Sequence, residues 1–236
     1  MESINGTEII TCPNAQCGQQ LRIPADETLM VTCPSCEASF SHRPNGKRLS
    51  PEFRTKSWTL GELMIGISRE SMMLLKRQAP NALGTLERKQ EWEGFIEFLK
   101  VLFNLVDRVG TLYIPVSEFL QFLDAVEDAV IDQMNNALRK QAGSAYDETP
   151  LKVSISAAFE TAQKFYQPHR FMITDEGPDR DRYLTAFGEA VADVLGLKGN
   201  KTIVTTASMC AGSSIAAIKA LLESTQGCGP SPSGNA

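Results

Sequence analysis

The sequence predicts a two-part chain: a small β module at the N-terminus, followed by an all-α domain of about six helices. Three observations carry this. Four of the six cysteines lie within the first 36 residues. Short stretches of period-two alternation flank those cysteines, as in half-buried strands. From Ser57 onward the apolar residues instead recur every three or four positions, the spacing of a helical face.

Ile9 and Ile10 precede the first cysteine pair as a strand. "QLRIP" (20–24) alternates Leu21 and Ile23 around Arg22, "ADE" (25–27) is a turn, "LMVT" (29–32) is the next strand, and "ASF" (38–40) closes the module. Cys12 and Cys17 read C-x4-C; after 15 residues, Cys33 and Cys36 read C-x2-C. A short loop between paired cysteines lets both thiolates turn toward one ion. Two such pairs on neighbouring hairpins supply four sulfur ligands, a set that suits Zn2+, with iron the main alternative. A module of about 40 residues buries too little apolar surface to fold alone, so the metal supplies the missing stability.

"ITCPNAQCGQQLRIPADETLMVTCPSCEASF" resembles the short zinc ribbon found at the N-terminus of many bacterial proteins. Cys12, Cys17, Cys33 and Cys36 match its ligand positions. Pro13, Gly18, Leu21, Ile23, Pro24, Val31, Pro34 and Phe40 match its framework. The resemblance covers residues 8–42 and implies one structural Zn2+ per chain. Two departures stand out. The first knuckle is two residues longer than CPxC, and Glu37 replaces the glycine that usually follows the second knuckle. Glycine there favours the positive φ that turns amides toward sulfur, so Glu37 is expected to strain the turn. A catalytic zinc keeps an open coordination position, whereas four thiolates close the shell. No H-x-E accompanies the C-x-x-C, so the deaminase pattern is absent. His42 lies six residues past Cys36, too far to replace a ligand neatly.

The net charge of −5 disfavours a whole-surface nucleic-acid or anionic-membrane binder. The charge is uneven. Residues 1–42 hold Arg22 against five acidic residues, whereas 43–56 hold Arg43, Lys47, Arg48, Arg54 and Lys56 against Glu52 alone. That segment reads as a solvated basic linker or as a phosphate-contacting strip, whose binding would be salt-sensitive. The expected division is a ribbon at 1–42, a basic linker at 43–56, an all-α domain at 57–225 and a disordered tail at 226–236. No apolar run reaches the roughly 18–20 residues that span a bilayer, so no membrane partner is expected. The N-terminus lacks a basic region leading into an apolar core, and the expected location is the cytoplasm.

The first helix runs from Ser57 through Leu60, Leu63, Met64, Ile67, Met72 and Leu75 to Pro80. Thr85 is the expected cap of the second, whose later half (Phe98, Leu99, Leu102, Phe103, Leu105, Val106) is apolar nearly all round, which places it at the centre of the domain. The third covers Val116 to Lys140. Thr149-Pro150 opens the fourth, which stops at Pro168. The fifth ends at Gly196, a C-cap. The last, 201–225, is β-branched and then small-residue-rich, and reads as one helix or two abutting pieces.

The sequence carries no P-loop, Rossmann glycine pattern, H-E-x-x-H or G-x-S-x-G. His169 forms a polar patch with Tyr166 and Arg170, or is a helix-end histidine. Asp175, Glu176, Asp179 and Asp181 lack EF-hand spacing and sit beside Arg180 and Arg182, so local ion pairs are expected. Glu118, Asp124, Glu127 and Asp128 read as a solvated helix face, Cys210 as a small buried residue, and Met64, Met72 and Met73 as core. The leading expectation is a non-enzymatic interaction or regulatory protein with a protein partner. The runner-up is nucleic-acid binding by ribbon and linker, and the third is an enzyme with an unsignalled active site among the helices.

Overall fold

The computed structural model describes residues 7–14, 16–24, 29–42, 49–84, 86–142, 146–171, 173 and 176–224. The turn expected at 25–27, the cap Thr85 and the tail at 226–236 lie outside these residues. Two antiparallel hairpins come first. Strand β1 (Thr7–Thr11) pairs with β2 (Gln20–Pro24), with Ile9 opposite Arg22 and Thr11 opposite Gln20. Strand β3 (Leu29–Thr32) pairs with β4 (Ser39–His42), with Val31 opposite Phe40. Each hairpin is a separate two-stranded sheet.

Among the described residues seven helices follow: α1 (Pro51–Gln78), α2 (Pro80–Leu83), α3 (Arg88–Tyr113), α4 (Val116–Ala142), α5 (Thr149–Tyr166), α6 (Pro178–Val194) and α7 (Lys201–Glu223). Helix α1 starts six residues before the expected Ser57. Pro51 takes the first helical position, and Ser50 caps it by accepting from the Phe53 amide. Arg54 and Lys56 are therefore helical rather than linker residues. Four-residue α2 is too short to leave a periodic signal. Gln90 Oε1 accepts from the Glu87 amide and so opens α3.

Helix α3 is central, as its apolar pattern requires. Residues 97–99 and 101–106 are all buried, and α3 packs against α1, α4, α5, α6 and α7. At the end of α6, Gly196 (φ +71°) follows Leu195, and the Leu197 amide reaches back to Ala192 O at 2.7 Å. This is a Schellman closure, which a glycine enters without steric cost. Helix α6 then crosses α7 so closely that a Cβ on Gly188 would lie 2.4 Å from Val204 O.

Helix α7 is one continuous helix. It is also the one described helix long and apolar enough to cross a bilayer by length and composition, although Ser and Thr interrupt its apolar run. Its buried stripe, Ile203, Ala207, Ala211, Ile215, Ile218 and Leu222, faces α6, α1 and α3. The exposed positions are Thr, Ser and Ala apart from Met209 and the charged ends.

Candidate metal centre

The hairpins bring all four sulfurs of Cys12, Cys17, Cys33 and Cys36 within 4.8 Å of one another. Cys12 Sγ lies 3.7 Å from Cys36 Sγ, and Cys17 Sγ lies 3.5 Å from Cys33 Sγ. A disulfide needs about 2.05 Å, so these are free thiols. A tetrahedral ion with metal–sulfur bonds of about 2.3 Å holds its sulfurs about 3.8 Å apart. The spacing therefore fits a four-thiolate metal site.

Backbone amides complete it. The Asn14 amide donates to the Cys12 sulfur, the Gln19 amide to Cys17, and the amides of Ser35 and Cys36 to Cys33. The turns that aim them need a left-handed residue after each knuckle. Gly18 (φ +62°) fills that place in the first and Glu37 (φ +57°) in the second. Glu37 thus carries the steric cost that the sequence led us to expect, about 1–2 kcal/mol for an L-residue.

The sulfurs are unequal. Burial, with help from the neighbouring thiols, pushes the Cys12 thiol well above its ordinary range. Cys33 is also buried, but the amides of Ser35 and Cys36 and the adjacent sulfurs outweigh that burial and pull it down to about 7. Four thiolates this close repel one another unless a cation lies between them, so metal uptake must release protons.

The centre is continuous with the helical body. Ile10, Cys12, Ile23, Cys33 and Phe40 form one apolar cluster with Trp58 of α1 and Ala129 of α4. The Phe40 and Trp58 rings meet edge to face, with centroids 6.4 Å apart. The Ser41 amide donates to Asp132 Oδ2 at 2.6 Å, and Asn136 Nδ2 donates to Ser39 O at 2.8 Å. Helices α1 and α4 make this platform by close packing. Gly61 leaves only 3.0 Å between an added Cβ and that of Ala129. Gln133 Nε2 donates to Trp58 O at 2.8 Å. No motif marks Trp58, Ala129 or Asp132 as ribbon contacts.

The five basic residues of the 43–56 segment do not form one exposed strip. Arg43, Lys47 and Arg48 lie outside the described residues. Arg54 is half-buried on α1. Lys56 is buried, and its ammonium donates to Leu222 O at 2.8 Å and pairs with Glu52 at 2.9 Å. That corrects its reading as a phosphate contact: Lys56 ties α1 to the C-terminal carbonyls of α7, where a cation is favoured.

The acidic face of α4 is also less solvated than expected. Glu118 accepts from the Ser50 amide at 2.8 Å and Glu127 from the Ser156 hydroxyl at 2.5 Å. The loop pairs behave as read, with Arg180 on Glu176 and Arg182 on Asp179, while Asp175 lies outside the described residues. Cys210 sits in the interior of α7, half-buried and away from any helix start. Met64 and Met72 are core, and Met73 is exposed.

His169 and Arg170 line an open cleft of about 860 Å³ between α3, α5 and the segment after α5. Its organising residue, Arg108, carries no motif. The available signal is a polar pair, Asn104 and Arg108, one turn apart in the largely apolar stretch from Val101 to Val109. No family model, curated protein or solved structure matches this chain. The zinc-ribbon resemblance of residues 8–42 therefore rests on the spacing and geometry of the cysteines.

Proposed function

We propose that this is a zinc-stabilised, non-enzymatic interaction or regulatory protein in which Cys12, Cys17, Cys33 and Cys36 hold one structural Zn2+. The observation that carries the reading is the closed set of four sulfurs at tetrahedral spacing. Four protein ligands leave no position for water or substrate, so such a zinc stabilises rather than reacts. The hairpins present one side to Trp58, Ala129 and Asp132. Ile9 (60% exposed) and Met30 (51%), one on each hairpin, stand in solvent. Large apolar side chains left exposed on so small a module favour contact with a protein partner.

Cobalt substitution in the full chain tests the structural role. Tetrahedral Co2+ bound by four thiolates should show visible bands that added cyanide or imidazole leaves unchanged. Bands that shift with either ligand would reveal an open position and overturn the structural assignment. A photo-crosslinker at Met30 tests the interaction surface. A defined protein adduct at Met30, lost on Ile9→Asp, is expected. Labelling unaffected by Ile9→Asp would argue against that face.

A further inference from the structure

We infer that the cleft between α3 and α5 binds a small organic anion, a carboxylate or phosphate ester with an apolar body. The inference is independent of the metal centre, because none of the cleft residues belongs to the hairpins, α1 or α4. Its volume of about 860 Å³ suits a small molecule. Arg108 forms the floor and is held rigid. Its Nε donates to Asn104 Oδ1 at 2.7 Å, and its Nη2 donates to the carbonyls of Tyr166 at 3.0 Å and His169 at 2.7 Å. The guanidinium lies 4.7 Å from the Phe171 ring centroid and 5.2 Å from that of Tyr183. Asn104 is itself fixed by the Tyr183 hydroxyl at 3.1 Å. These bonds use three of the five guanidinium hydrogens and leave the two on Nη1 without a partner among the described residues.

Two more cations, Lys164 and Arg170, stand on the rim, and neither meets a carboxylate among the described residues. Among the described residues the one acid in the lining is Asp107, which burial raises above its ordinary value. A chain of net charge −5 thus gathers three cations against one acid among the described residues that line its cleft. Holding the end of α5 in place accounts for Arg108 alone. It gives no use for Lys164 and Arg170, which converge on the same opening. Leu112, Phe171 and Ile173 supply an apolar wall beside the charges, so the fitting ligand carries both characters.

Titrating the zinc-loaded full chain with phenyl phosphate, benzoate and benzyl alcohol, read by amide chemical shifts, tests this. Phenyl phosphate, benzoate or both should move amides of 104–112 and 163–171, with benzyl alcohol far weaker. Which anion binds tells phosphate from carboxylate recognition. Lys164→Glu with Arg170→Glu should weaken binding at least tenfold. Asp107→Asn should tighten it severalfold, a gain that a merely architectural role would not produce and that survives if the double variant folds poorly. Shifts absent from this region, equal response to benzyl alcohol, or an affinity unchanged in Asp107→Asn would overturn the assignment.

Discussion

Replacing Cys33 with Ser removes one of four sulfurs from the buried centre of the hairpin module. A serine hydroxyl does not ionise near neutral pH and is a poor metal ligand. Structural zinc sites contribute about 10–16 kcal/mol of apparent binding free energy, most of which a three-sulfur site forfeits. The hairpins should therefore lose their fold. The helices should keep theirs, because their core is a separate cluster of buried residues. They should nonetheless be weakened, since they lose what the ribbon gives them. The Ser41–Asp132 hydrogen bond involves a charged acceptor, about 1.5–3 kcal/mol, and Asn136–Ser39 is a neutral one, about 1 kcal/mol. The Phe40–Trp58 edge contact adds about 0.5–1.5 kcal/mol. With allowance for non-additivity, the helical body should lose roughly 3–5 kcal/mol. At a urea dependence of about 2 kcal/mol per molar, the helical midpoint should fall by roughly 1.5–2.5 M. Far-ultraviolet dichroism gives that midpoint, and Trp58 emission should move to the red as Phe40 leaves. An unchanged midpoint would refute the docking argument. Complete loss of helicity in water would refute the separate folding of the helices.

Other substitutions check individual contacts. Glu37→Gly relieves the left-handed backbone but adds unfolded-state entropy, so zinc-loaded protein should gain about 0.5–1 kcal/mol, measured by thermal unfolding. Gly188→Ala places a methyl group against Val204 O and Ser208 Oγ, and should cost about 1–3 kcal/mol in urea titration as α6 and α7 separate. Burial raises Asp107 in the folded chain, so on acidification the native state takes up this proton before the unfolded state does. The charged form therefore costs stability at neutral pH, and the cost fades as pH falls through the raised value. Asp107→Asn should raise Tm at pH 7, with the difference from the parent shrinking toward about pH 4.

The metal centre was legible because its signal is local. Two cysteine pairs, the residues after them and a short alternating strand fix both knuckles within 25 residues. The central place of α3 was legible because apolar residues occupy nearly every side of 98–106, with only Lys100 and Asn104 between them. The contacts that join distant parts were not. Asp132 reads as one more acid on an amphipathic helix, and nothing local ties it to Ser41, 91 residues away. Lys56 counts as a basic linker residue until α7 brings Leu222 against it, 166 residues on. Glu118 and Glu127 look solvated for the same reason. The start of α1 was within reach, since Ser50-Pro51 is a cap followed by a first-turn proline, but the charged residues after it masked the apolar period. The β-branched start of α7 pulled against its helical reading, and packing on α6 and α3 overrode that local preference.

The central claim is a closed four-sulfur zinc site in the folded chain. X-ray absorption at the zinc edge of protein purified without added metal measures it directly. The expected spectrum shows one zinc per chain with four sulfur scatterers at about 2.3 Å. A shell containing nitrogen or oxygen, fewer than four sulfurs, or a chain carrying no zinc would contradict it.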